Sequence, residues 1–156
     1  MKELLNEIMN LSSKRLQDAR QILKLTQKIK SHIEKKEVQA LNQTIALRQR
    51  WMKQEEDTRK KIQEKMEELK DQYAIKSVEE INQGEYCQVK VILDNRVKIK
   101  NIYSIAYQLD QENIKKAEEL LEEYKCKIKG LHQGKKAFHA YGKKPSMPSI
   151  MINKLK

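Results

Sequence analysis

The chain is poor in the residues that make tight turns, metal cages and broad cores. It has four glycines and two prolines in 156 residues, which disfavours an all-β fold or a Gly-rich phosphate loop, since both need repeated turn residues. Its two cysteines, Cys87 and Cys126, stand 39 positions apart with no CxxC spacing. In a reducing compartment such cysteines are expected as free thiols. Apolar residues reach 38% and aromatics 5%, too little for a large spherical core. No apolar run approaches the ~18 residues that span a bilayer. The acid-containing start, Met1-Lys-Glu-Leu-Leu-Asn-Glu-Ile-Met, does not read as a signal peptide. A cytoplasmic location is therefore the expectation.

One further absence is positional. No Asp or Glu follows Glu123, whereas Tyr124 to Lys156 holds nine lysines. The rest of the chain balances 24 Lys and Arg against 22 Asp and Glu, so the formal charge of +11 sits almost wholly at the C-terminal end. Gly130, Gly134, Gly142, Pro145 and Pro148 fall in the same stretch. Composition thus divides a helical body, residues 1–130, from a basic, partly disordered tail, residues 131–156.

What is present in abundance is helical periodicity. Leu4, Ile8, Leu11, Ala19, Ile22, Leu23, Ile29 and Ile33 mark a first helix over about 2–34, with Ser12 and Thr26 blurring its stripe. After the charged junction Glu34-Lys-Lys-Glu37, steps of three and four run through Val38, Leu41, Ile45, Arg48, Met52, Glu55, Arg59, Ile62, Met66, Leu69 and Tyr73. That is a heptad track over about 37–74 with polar residues at its middle. Ser77 and Glu80 have capping-box spacing, so a short extra turn is expected before Gly84. A third track, over about 85–129, reads Val89, Ile92, Arg96, Ile99, Tyr103, Ala106, Asp110, Asn113, Ala117, Leu120 and Tyr124. Helices this long cannot bury their stripes alone. The fold class predicted is all-α: an elongated antiparallel helical hairpin or three-helix coiled-coil bundle with a flexible basic C-terminal tail. Polar seam residues such as Arg48 and Asp110 are expected to fix the register.

Catalytic and metal-binding signatures are missing. His32, His132 and His139 are scattered, and there is no HExxH, CxxC or GxSxG pattern, so no catalytic residue, metal ligand or cofactor is assigned. The pairs Glu118-Glu119 and Glu122-Glu123 read as a solvated helix face. Trp51, one position off the seam, reads as half-buried packing. Met9, Met52 and Met66 read as core filler. The tail keeps Phe138, Tyr141, Met147, Ile150, Met151, Ile152 and Leu155 among its lysines, more apolar side chains than solvation alone requires. Either these fold back on the helices or a partner orders them. Basic and apolar together also suit an anionic lipid surface or nucleic acid. No RNP, KH, zinc-finger or helix-turn-helix pattern favours nucleic acid.

Leu109-Asp-Gln-Glu-Asn113, Ala117-Glu-Glu-Leu-Leu121 and Ala140-Tyr-Gly142 resemble the flagellar type III export chaperones of the FlgN type. In that family a helix with an Asn-x-x-x-(apolar)-Leu stretch leads into a Tyr-Gly element. Ile45-Ala-Leu-Arg-Gln-Arg-Trp-Met-Lys-Gln-Glu-Glu is similar to the family's middle helix. The FliT-type chaperones resemble the chain almost as well, and the ending Ile152-Asn-Lys-Leu-Lys departs from the commoner Asp-Lys-Lys type. The resemblance implies a cytosolic chaperone, not an enzyme. Such a chaperone binds hook–filament junction proteins, keeps them unassembled and delivers them to the flagellar export gate. It implies client contacts at Asn113, Ala117, Leu120, Leu121 and Tyr124. Tyr141 and Gly142 would dock on the cytoplasmic domain of the gate, with the export ATPase as a further partner. A homodimer is expected when no client is bound. The competing reading is a structural coiled-coil adaptor whose basic tail binds anionic lipid or nucleic acid.

Overall fold

A computed structural model describes residues 1–142. The regular structure in these residues is entirely helical: α1 Lys2–Glu34, α2 Val38–Tyr73, a single 3-10 turn at Val78–Glu80, and α3 Cys87–Gly142. The chain divides into two compact units, Met1–Ala117 and Glu118–Lys156. Met147, Ile150, Met151, Ile152 and Leu155, expected to fold back on the helices or to meet a partner, lie outside the described residues.

The junction between α1 and α2 shows why the first helix stops where the charges cluster. Lys36 takes a left-handed conformation, φ 58°. Its N–H donates to the Ile33 carbonyl at 3.1 Å, and the Glu37 N–H donates to the His32 carbonyl at 2.9 Å. This pair of bonds is a Schellman motif, which satisfies carbonyls that the helix end leaves over. Ala74, with φ 52°, ends α2 in the same backbone region. The expected turn before Gly84 is present at Val78–Glu80, but its cap differs from a capping box. Ser77 makes no side-chain cap bond; instead the Glu80 carboxylate accepts from the Lys76 N–H at 3.0 Å.

In the first unit, hydrogen-bond register fixes the helix directions. Gln54 donates to Asp18 at 2.9 Å, Arg15 pairs with Glu55 at 2.5 Å and Lys65 with Glu7 at 3.0 Å. The partner number falls in α2 as it rises in α1, so the two helices are antiparallel. Between α1 and α3 the offset is constant instead. Asn6–Gln88, Ser13–Asn95, Lys30–Glu112 and Glu34–Lys116 are each 82 residues apart, so α1 and α3 run parallel. The bond Arg48–Asp110, 2.5 Å, ties α2 to α3 across the seam where both residues were expected.

One core cluster, Leu4, Leu5, Ile8, Leu69, Val78, Ile81, Val89 and Ile92, joins all three helices and the short turn. A smaller one joins Leu16 and Ala19 to Ile99. Because α1 is covered by two neighbours, its buried stripe is wide and includes Leu5, Leu16, Leu25, Ser12, Asp18 and Thr26. Thr26 tolerates burial because its hydroxyl donates to the Ile22 carbonyl at 2.9 Å, a bond that needs no neighbour. In contrast, α2 buries only Glu55, Thr58 and Leu69. Met52, expected as seam filler, is 44% exposed, while Trp51 is half-buried as expected.

The largest departure from the sequence reading is the end of α3. The helix was expected to finish near residue 129 and a tail to begin at 131; it continues to Gly142. An interior glycine costs a helix only about 1 kcal/mol, and around Gly130 and Gly134 stand Leu131, Gln133, Lys135, Lys136 and Ala137, which are good helix formers. A Cβ added at either glycine meets nothing within 4 Å. Gly130→Ala with Gly134→Ala should therefore raise the helix content and thermal resistance of this segment, by roughly 1 kcal/mol per site. Far-UV circular dichroism against temperature checks this; unchanged helicity would mean the glycines carry no helical strain.

Candidate functional site

Two places stand out chemically, one buried and one open, and they lie in different units. The first is a polar layer inside the unit of residues 1–117. Glu55 is 8% exposed and Asp18 3%. Arg15 pairs with Glu55, Gln54 with Asp18, and the Thr58 hydroxyl donates to the Gln54 carbonyl at 3.0 Å. Burial, and next the Glu55 charge, push the Tyr103 phenol far above its ordinary pKa. It therefore stays protonated and hydrogen-bonded to Glu55. A phenol held in that state is a poor base, and the layer reads as a register lock rather than a reacting centre.

Asp18 is the strained member of the layer. Its Oδ2 has no hydrogen-bond partner among the described residues, and burial raises its pKa from 3.8 against the opposing effects of Gln54 and Lys14. Between that ordinary value and the raised one the native state binds more protons than the unfolded chain, so stability falls as pH rises through the window. Above the window the fold has lost the stability that protonated Asp18 gives it. Asp18→Asn keeps an acceptor for Gln54 and should raise the urea midpoint at pH 7, with the gain fading as pH drops to 3.8. A constant difference at both pH values would mean that the charge is not the cause.

The second place is the described part of the other unit, Glu118–Gly142. Leu121, Tyr124, Ile128, Leu131 and Phe138 recur in steps of three, four and seven, so they share one face of α3. That face is open: Leu131 is 68% and Phe138 77% exposed. Leu121, Tyr124 and Ile128 are exposed as well. An apolar row left in water, interrupted only at Lys135, marks a contact surface. Lys125, Lys129 and Lys136, spaced by four and seven, lie along its flank. Lys125 pairs with Glu122 at 2.6 Å and Lys127 with Glu123 at 2.8 Å, while the Lys127 ammonium stands 5.8 Å from the Tyr124 ring centre.

Against this geometry the client residues taken from the resemblance divide. Asn113 and Ala117 belong to the first unit, and Leu120, Leu121 and Tyr124 to the second. Asn113 is 4% exposed and donates to the Thr26 carbonyl at 3.2 Å. In this conformation it is an interior strut between α3 and α1, not a surface contact. Ala117 and Leu120 are half-buried. Tyr141 is 90% exposed on α3, with Gly142 the last described residue. Sequence reasoning missed Ile128 because the third track was followed only as far as Tyr124, and Leu131 because the helix was ended near 129; their heptad spacing was the available signal.

Among the described residues no group of His, Cys, Asp and Glu is placed to hold a metal ion, and no helix is long and apolar enough to cross a membrane. Cys87 and Cys126 are unbonded and exposed. No protein family, no curated protein and no solved structure matches this chain.

Proposed function

We propose that this protein is a helix-binding export chaperone of the flagellar type III pathway, which holds a hook–filament junction protein unassembled and hands it to the export gate. The observation that carries the reading is the uncovered apolar row Leu121, Tyr124, Ile128, Leu131 and Phe138. An export client has a terminal segment that pairs helically in the assembled filament and is an aggregation hazard before assembly. A free helical face with heptad spacing covers such a segment by side-to-side coiled-coil packing. The client contacts proposed are Leu120, Leu121 and Tyr124, extended to Ile128, Leu131 and Phe138. Asn113 is left in the fold.

Co-expression with a hook–filament junction protein tests this directly. The expected result is a soluble 1:1 complex; separate elution of the two proteins, or an insoluble client, defeats the proposal.

Tyr141 and Gly142 are proposed to meet the cytoplasmic domain of the gate, with the export ATPase nearby. A nearly bare tyrosine supplies apolar area and one hydrogen bond with little rotamer entropy to lose. Tyr141→Ala should leave client affinity unchanged and cut secretion of the client at least about tenfold, the loss of one well-buried anchor. Loss of client binding in that variant would put Tyr141 in the client site instead.

The lysine flank Lys125, Lys129 and Lys136 favours a second reading, an amphipathic helix on an anionic lipid surface. Such binding to anionic vesicles would weaken steeply as salt is added, whereas helix packing against a client would change little.

A further inference from the structure

We infer that the segment Glu118–Gly142 of α3 pairs antiparallel with the same segment of a second copy of this chain. The inference needs no client, so its failure leaves the chaperone reading standing, and the reverse holds equally.

The argument starts from the exposed row and asks which helix completes it. In an antiparallel pair, the two kinds of core position meet each other across the interface. Centred between residues 129 and 130, the segment supplies three such layers. Leu121 faces Phe138 of the other copy, Ile128 faces Leu131, and Tyr124 faces Lys135. The two-fold axis repeats each layer, so a single self-complementary surface closes the pair. The one charged core position, Lys135, meets the only ring in the row with a hydroxyl, and an ammonium over a tyrosine face is attractive rather than a buried unpaired charge. Just outside the core, Leu120 falls opposite Tyr141 and Glu118 opposite His139.

Charge decides the direction. The segment begins with Glu118, Glu119, Glu122 and Glu123 and ends with Lys135, Lys136 and His139. A parallel pair sets acid against acid at one end and lysine against lysine at the other. The antiparallel pair sets each acidic end against a basic one. Glu122 and Glu123 keep their bonds to Lys125 and Lys127 within the helix, and Glu119, two positions before Leu121, falls on the far side of the helix from the row, which leaves Glu118 as the acidic partner of the other copy's basic end.

The experiment uses the full chain. Sedimentation equilibrium should find a dimer at micromolar concentration, and Ile128→Lys with Leu131→Lys should weaken it at least about a hundredfold, since each change removes a buried aliphatic layer. Circular dichroism controls for folding. Orientation is read by disulfide trapping in chains carrying Cys87→Ser and Cys126→Ser: one batch bears Leu121→Cys, the other Phe138→Cys. Mixed and oxidised, they should give the crosslinked heterodimer in preference to either homodimer. A wild-type monomer overturns the inference, as does a dimer that survives both lysines. Preferential homodimer crosslinks overturn it by showing a parallel pair.

Discussion

Leu69→Ala should cost about 2–5 kcal/mol of unfolding free energy, the range for emptying a fully buried leucine site. The expectation falls at the high end because of how α2 is held. That helix buries only Glu55, Thr58 and Leu69 among its residues, and Leu69 is its one wholly enclosed apolar anchor, at 0% exposure. It shares one core cluster with Leu4, Leu5 and Ile8 of α1 and with Val89 and Ile92 of α3, so truncating it opens a hole where three helices meet. Urea unfolding followed by circular dichroism measures the change. The matched control is Leu47→Ala on the same helix, a leucine 43% exposed and outside the row on α3, expected within about 0.5 kcal/mol of wild type. Equal losses at the two positions would mean that the enclosure of Leu69 does not set the cost.

The second large effect concerns the polar layer, where breaking an ion pair and replacing it have opposite consequences. Arg15→Met leaves the Glu55 carboxylate, on a side chain only 10% exposed, without its cation. The expected loss is about 2–3 kcal/mol, somewhat below the range for a completely buried pair because the Arg15 side chain is 23% exposed. Adding Glu55→Met removes the stranded charge but leaves the buried Tyr103 hydroxyl without its acceptor, so it should recover only part of that loss. The thermodynamic cycle of the two single changes and the double one isolates the coupling. If the double variant is less stable than Arg15→Met, the layer stabilises the fold outright. If it recovers stability but unfolds over a broader transition, the layer serves register.

How much of this was legible in the sequence differs from helix to helix. The α3 track was, because α3 meets its neighbours along a narrow seam: Val89, Ile92, Ile99 and Ala106 are buried at the spacing that named them. Arg96, on the same track, is exposed because it turns out to meet Glu79 on the 3-10 turn at 2.6 Å, a partner no heptad rule contains. The α1 stripe was only half visible. A helix covered on two sides buries more than one row, and small polar residues such as Ser12 and Thr26 in that row looked like gaps. In α2 the pattern named the right face, but periodicity says nothing of how closely a neighbour approaches, and Ile45 and Met52 remain exposed.

Which residues of α3 lie on its open face was legible only in part. The resemblance pointed to the stretch from Asn113 to Tyr124. Asn113 proved to be spent on the Thr26 carbonyl, a bond between residues 87 positions apart that only the fold can reveal. The open row runs further toward the C-terminus than expected because Gly130 and Gly134 were read as stops. A glycine ends a helix when the backbone needs a left-handed residue there, and neither of these has positive φ.

The central claim is that the row on α3 receives a helix from another polypeptide. Its most direct measurement is isothermal titration of the full chain with a purified hook–filament junction protein, repeated with Leu121→Lys and Tyr124→Lys together. The account predicts 1:1 binding by the wild-type chain and a loss of at least about a hundredfold in the variant, with circular dichroism unchanged. Equal affinity in both, or no binding by the wild-type chain, would contradict it.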